Sequence, residues 1–465
     1  MLTRWPGWGL VAFAPSALVL AEPQTVYDAL KAVLSPSSEI MLTSDDAYQK
    51  DFAPRYNLAE APTYIVGVKP AVAEDVNYSR DSNIPMLTTG RGHGYTTSLS
   101  HVQGGINLDL EKFNSIQIDT AAKTMTIGGS VNGYQVAAAL QEAGLEIATP
   151  QCPCIGFAAA SLGGGIGPYS GLYGPISDSL LSVDLVTADG CLLTVSETEF
   201  PDLFYGIKGA GFNFGVALSL TFQVYPATNG GHAMNADMMF LGSQNESVWK
   251  AVEQLAASQP KELAFGLSVR YMPDPPSESL IIAANFVHAG PQTEGEALLQ
   301  PFLDLQPQNV NISTVPGKIS HPWLTAIDVP NLVHVVNHMS KAIEADPVLQ
   351  GTSIVWQQYA QHGFQQRTED SSAFPYRDAK VFVQIDSVAA NASQTPPLAS
   401  FGRELRDKLQ EGSGKRNLDV YVHFAHGDEG PASWYGADGQ PRLAGLKEAY
   451  DRAGMFSWYN PAVSV

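Results

Sequence analysis

Short apolar runs separated by turn residues dominate the first half of the chain. Tyr64-Ile65-Val66-Gly67-Val68 closes at Lys69-Pro70, residues 71–82 suit a brief helix, and Ile84-Pro85-Met86-Leu87 resumes an extended run. That order predicts a strand, crossover, strand unit. Alternation over 106–110, 116–119 and 124–127 predicts three more strands, with a turn at Ala121-Ala122. Val131 to Ala143 sets Val136, Ala139, Leu140 and Ala143 on one face and so reads as a helix. Residues 180–188 and 192–195 flank Asp189-Gly190, a hairpin signal. Phe200 to Lys208 is amphipathic, and residues 216–224 alternate up to a stop at Pro226. After Asn229-Gly230-Gly231 the elements lengthen. Residues 263–272, 280–287, 380–388 and 418–424 read as strands, 292–305 as a helix, and 442–453 as a last helix stopped by Gly454. The pattern predicts an α+β protein whose second half is a mainly antiparallel sheet covered by helices.

A length of 465 residues adds that one core is too few, and two domains are expected. The net charge of −20 argues against nucleic acid and anionic membrane surfaces, which would be repelled. The expected partner is a small molecule. Met1 to Ala21, with one cation, an apolar run too short to span a bilayer and a small residue before Glu22, fits a secretory signal peptide, or else an apolar leader helix. Asn77, Asn245, Asn311 and Asn391 stand in glycan-acceptor triplets, which fits a secreted glycoprotein. Cys152, Cys154 and Cys191 are an odd number and do not read as a disulfide framework.

Candidate chemistry gathers in two small-residue loops, Thr88-Thr89-Gly90-Arg91-Gly92-His93-Gly94-Tyr95 and Gln151-Cys152 to Gly167. In the second, Gly163, Gly164, Gly165 and Gly167 follow Ala158-Ala159-Ala160-Ser161-Leu162 and strip one surface of Cβ atoms. Either a large anionic ligand approaches the main chain there, or two chain segments cross tightly. No strand directly precedes this block, so it is no dinucleotide fingerprint. His334 and His338 share a helical spacing but lack the Glu of a zinc protease helix, and read as surface histidines.

Gly90-Arg91-Gly92-His93-Gly94, Gly105-Ile106-Asn107-Leu108-Asp109-Leu110, Cys152-Pro153 to Gly167, Asn213-Phe214-Gly215-Val216, Phe374-Pro375-Tyr376-Arg377 and Trp434-Tyr435-Gly436 follow one another in a familiar order. In them the chain resembles the fungal berberine-bridge-enzyme-like flavoproteins of the vanillyl-alcohol oxidase and p-cresol methylhydroxylase superfamily. The resemblance implies a two-part FAD-binding domain over 59–228, a substrate domain over 229–425, and a C-terminal segment, 426–465, returning to the FAD domain. It implies FAD, held by Thr89 to Tyr95, Cys152, Gly156, Ser161 to Gly165 and Gly167, with the adenine end at Gly215 and Val216. It also implies covalent attachment through His93 and a second tether through Cys152.

The chain departs from the family pattern in four places. It is shorter between Val76 and Asn83, by about one helical turn. Ile155 stands where Val accompanies oxygen use and Leu does not. Gln366 replaces a Glu base, and His423 replaces an Asn beyond Tyr421, which leaves Tyr421 and His423 as the candidate catalytic residues. The resemblance implies oxidation of an alcohol or ring C–H bond in a small natural product, with O2 as final oxidant. A ring-closing enzyme without net oxidation and a flavin-free binding protein are the competing expectations.

Overall fold

The computed structural model describes residues 22–52, 55–77, 84–94, 96–273, 279–316 and 328–463. The signal-peptide reading, Tyr95 and most of the shortened stretch before Asn83 lie outside these. The first sheet has β1 (Glu39–Leu42), β2 (Tyr64–Lys69), β3 (Met86–Thr89) and β4 (Gly105–Asp109) in the order β1-β2-β4-β3. β4 lies parallel to both β2 and β3, as the strand, crossover, strand reading requires, while β1 joins antiparallel. A helix, Pro23–Val33, packs with this sheet through Val26 and Leu30. The first domain therefore begins well before residue 59.

The second sheet contains β5 (Ile116–Asp119) and β6 (Thr124–Gly128), then, beyond the two-residue strand β7 (Leu145–Glu146), β8 (Leu180–Val186), β9 (Leu192–Ser196) and β10 (Val216–Gln223). Its order is β5-β6-β10-β8-β9, and β7 pairs with β11 (Tyr225–Pro226) outside it. The helix Gly133–Glu142 follows β6. Asn132 starts it with a reciprocal cap: its side chain accepts from Gln135 N–H, and Gln135 in turn accepts from Asn132 N–H.

A six-stranded antiparallel sheet forms the second half: β12 (His232–Leu241), β13 (Leu263–Met272), β14 (Ser279–His288), β15 (Asn309–Pro316), β16 (Thr352–Tyr359) and β17 (Val381–Ser387), ordered β15-β12-β14-β13-β16-β17. Helices Asn245–Ala256, Val329–Ala345 and Thr395–Glu411 supply apolar residues to the same core as Phe240, Phe286 and Trp356 of this sheet. His334 is exposed, while half-buried His338 faces the neighbouring helix Thr395–Glu411, with Nε2 2.8 Å from Glu404.

Two sequence expectations change here. Residues 292–305 break into the helices Gln292–Leu298 and Gln300–Leu303. Residues 418–424 are no strand; they close a turn in which Phe424 N–H donates to Tyr421 O at 2.7 Å. Among the glycan acceptors, Asn245 is buried and donates to Asn337 at 3.1 Å, which leaves no room for a glycan there. Residues of the C-terminal segment bond to the first half of the chain. Lys447 donates to Asn213 O at 2.9 Å, and Thr96 donates to Asn460 at 2.7 Å.

Candidate active site

A cavity of about 590 Å3 runs between the two halves. One side is the loop after β3. Gly92 takes a left-handed φ of +66°, which a side chain would strain, and this turns His93 into the cavity wall. The His93 ring stacks on Tyr56 with centroids 4.3 Å apart. Burial lowers the His93 pKa from its ordinary value, so the imidazole is neutral and nucleophilic at neutral pH. Arg91 is spent within the protein, donating to Ser130 O at 2.8 Å and Gln135 at 3.2 Å, so its charge organises the loop.

The second loop divides into two roles. Cys152, Ile155, Gly156, Leu162 and Gly165 line the cavity, as do Thr89, Gly90, Gly94, Gly215 and Val216. Ser161, Gly163, Gly164 and Gly167, also expected to hold the ligand, are not among the lining residues. Ser161 donates to Ala158 O at 2.7 Å. A Cβ on Gly167 would lie 1.7 Å from Thr149 O, one on Gly164 2.4 Å from Phe374, and one on Gly163 2.2 Å from His423. These positions are close chain crossings.

Cys152 is joined to Cys154 by a disulfide. A sulfur in that bond carries no thiolate, so in this state Cys152 offers no second tether. Cys191 lies elsewhere, exposed, on the hairpin between β8 and β9.

Tyr421 and His423 both reach the cavity, with rings 5.4 Å apart, although by a turn and not a strand. The Tyr421 hydroxyl accepts from Gly165 N–H at 3.0 Å, and burial pushes its pKa well above the ordinary phenol value. Such a phenol resists ionising, which corrects its assignment as the base; it anchors the glycine loop. His423 Nε2 lies 3.0 Å from Ala160 O and so carries the proton, leaving Nδ1 to accept from Tyr459 Oη at 3.3 Å. Desolvation pushes its pKa down to about 4, and it is neutral at neutral pH.

Gln366 is exposed and donates to Leu172 O at 3.0 Å, away from the cavity. The carboxylate comes from β17 instead. Asp386, with Gln384 and Val355, forms the roof over the cavity. Gln384 Nε2 donates to both Asp386 oxygens, at 2.8 and 3.0 Å, yet desolvation dominates and raises the Asp386 pKa. The sequence did hold a signal for it. Gln384 and Asp386 are polar at a spacing of two and alternate with the apolar Val383 and Ile385, so they share one face of the strand.

The walls also fit a long ligand rich in acceptors. Thr88 Oγ1, Arg55 Nε and Trp458 Nε1 are buried without a partner among the described residues, and all three residues line the cavity. Unmet donors of this kind are costly unless a ligand satisfies them, and a dinucleotide with its pyrophosphate and ring carbonyls does so.

Fold and cavity together define a flavin-binding oxidoreductase. The FAD binding domain family matches residues 65–196. The chain is 32% identical to the FAD-linked oxidoreductase azaL of Aspergillus niger, over 94% of this chain and 98% of that one. It is 33% identical to the FAD-linked oxidoreductase tazG of Aspergillus terreus, over 97% and 98%. Among solved structures, wild-type Physcomitrella patens BBE-like 1 superimposes with a TM-score of 0.80 at 18% identity, covering 94% of this chain and 99% of that one. A xylooligosaccharide oxidase from Myceliophthora thermophila superimposes with a TM-score of 0.77 at 19% identity, covering 94% and 98%.

The chain belongs to the berberine-bridge-enzyme-like FAD-linked oxidoreductases of the vanillyl-alcohol oxidase and p-cresol methylhydroxylase superfamily.

Proposed function

We propose that this oxidoreductase removes hydride from an alcohol or ring C–H bond of a small natural product and that Asp386 receives the accompanying proton. The supporting observation is the Asp386 carboxylate, held by Gln384 in the roof of the cavity. Bound there, FAD would supply the two-electron acceptor for the substrate hydride, with O2 as the final oxidant. The loop from Thr89 to Gly94 and the wall at Gly215 and Val216 hold its length, and the neutral His93 imidazole is the covalent tether. Tyr421 keeps Gly165 in place beside the ring site, and His423, neutral at neutral pH, brings no positive charge to it. Asp386 takes the substrate proton only when ionised, and its raised pKa brings it nearer the working pH, where proton transfer is efficient.

Sugar oxidases of this fold, such as the xylooligosaccharide oxidase, support a hydroxylated substrate and oxygen as acceptor; Ile155, branched like Val yet as large as Leu, leaves the acceptor open. The expectation of a ring-closing enzyme rested on the missing Glu at Gln366 and on the altered Tyr421-x-His423, and Asp386 answers the first of these by offering a carboxylate. A secreted protein is the matching reading of Met1 to Ala21.

Two measurements test the proposal. Peroxide is expected in step with product, whereas turnover with neither peroxide nor a reduced acceptor means cyclisation. Acid-denatured protein is expected to stay yellow, with the flavin mass on the His93 peptide. A colourless preparation means a flavin-free protein, and a bare His93 peptide from yellow protein removes the tether.

A further inference from the structure

The bridge between Cys152 and Cys154 is a group that the proposed oxidation leaves unused. It joins residues two apart. The effect of a cross-link on the unfolded chain grows with the loop it closes, so this one adds little to stability. The backbone here is also fixed without it. Gly133 N–H donates to Ile155 O at 3.0 Å, Tyr134 N–H to Pro153 O at 2.9 Å and Ile155 N–H to Cys152 O at 3.1 Å. Both residues line the cavity wall, but Cys154 is exposed to solvent while Cys152 is half-buried. Both sulfurs and a ring nitrogen of His93 lie within 4.8 Å of one another.

We infer that the pair is a thiol-operated latch: a small thiol such as glutathione opens it at Cys154 and delivers Cys152 as a thiolate into the flavin cavity beside His93. The direction follows from access, because the attacking thiolate meets the exposed sulfur first and the inner sulfur leaves. In the first step the attacker bonds to Cys154 and Cys152 departs with the electron pair. A second thiol then displaces Cys154, so two thiols become one external disulfide and the protein pair gains two electrons. While the latch is shut, the flavin has at most the His93 tether. Once open, Cys152 bonds to a ring carbon; that C–S bond leaves the ring reduced by two electrons, which O2 removes as peroxide. The inference rests on reading the cavity as the flavin site.

The test uses the purified holoprotein. Labelling with N-ethylmaleimide under denaturing conditions, without reductant, is expected to mark Cys191 alone. Incubating the folded protein with glutathione first is expected to add labels at Cys154 and at any Cys152 not bound to flavin. Brief exposure is expected to leave glutathione on Cys154 and none on Cys152. In Cys154→Ser, where no latch forms, the Cys152 peptide is expected to carry the flavin mass, as in glutathione-treated wild type and unlike the untreated protein. Labelling of both cysteines without reductant, or a bridge that opens only after denaturation, overturns the latch. An intact labelling pattern with no flavin on Cys152 in Cys154→Ser overturns the attachment step. Colourless protein with the same labelling pattern instead points to failure of the flavin reading, so the two failures are told apart.

Discussion

At the scale of single residues, enclosure and hydrogen bonding set which groups titrate in the cavity. The Asp386 pKa lies above its ordinary 3.8. Only the ionised form accepts a proton, so kcat/KM is expected to rise as pH rises through the shifted value and to level off above it. Asp386→Asn is expected to remove that acidic limb and lower kcat/KM by about 10²- to 10⁴-fold, the usual worth of a positioned base. A pH–rate profile of both proteins checks this. His423 makes stability, too, fall as pH falls. Its folded pKa is about 4 against an ordinary 6.5, so between these values the unfolded chain binds the extra proton. The contribution is present above about 6.5 and is lost as pH falls toward 4. His423→Asn is expected to flatten the fall in Tm across that window, read by thermal melts at stepped pH. His93, Cys152 and the glycines could be picked out in the chain because their spacing is local. The bridge from Cys152 to Cys154 was not, since an odd cysteine count argued against pairing.

At the scale of elements, two-residue alternation found strands such as β5, β6 and β10, where one face is apolar and the other polar, but passed over β15, where Val310 and Ile312 alternate with Asn309, Asn311 and Ser313. It also failed where that contrast was missing. In β12 the inward Met234, Ala236, Met238 and Phe240 alternate with polar Asn235 and Asp237 at first but then with Met239 and Leu241, so the contrast fades along the strand. In β16 Gln357 and Gln358 are consecutive and both buried, so the strand has no polar face to reveal it. Residues 418–424 misled in the other direction. Tyr421 and Val422 are adjacent and both buried, which a half-exposed strand does not allow, and Asn460 Nδ2 fixes the turn by donating to Val422 O at 2.8 Å. The glycine block follows the same logic, since a sequence shows where Cβ atoms are missing but not what fills the space. Gly167→Ala is expected to destabilise the fold by about 2 kcal/mol or more, because the obstacle at 1.7 Å is the Thr149 carbonyl and backbone yields poorly. A lower Tm with less soluble protein would show it, whereas a Tm equal to wild type would mean the crossing is looser than described.

At the scale of the whole molecule, the two halves are held by contacts between distant residues. Arg377, beyond β16, forms a two-pronged ion pair with Asp178 of the first domain, with one arm at 2.7 Å and side chains only 4% and 6% exposed. Arg377→Met is expected to cost about 3–5 kcal/mol, because it leaves a buried carboxylate without its partner. Denaturant unfolding of the holoprotein measures the loss, and Asp178→Asn in the same background should recover part of it.

Phe456, Trp458 and Tyr459 form part of the cavity wall opposite loops that precede them by hundreds of positions. A ribosome must therefore thread out almost all of this sequence before the pocket closes. Cofactor loading is in consequence a late event in biogenesis, and a nascent chain stalled ahead of Phe456 would carry the FAD-binding module without a finished berth for FAD.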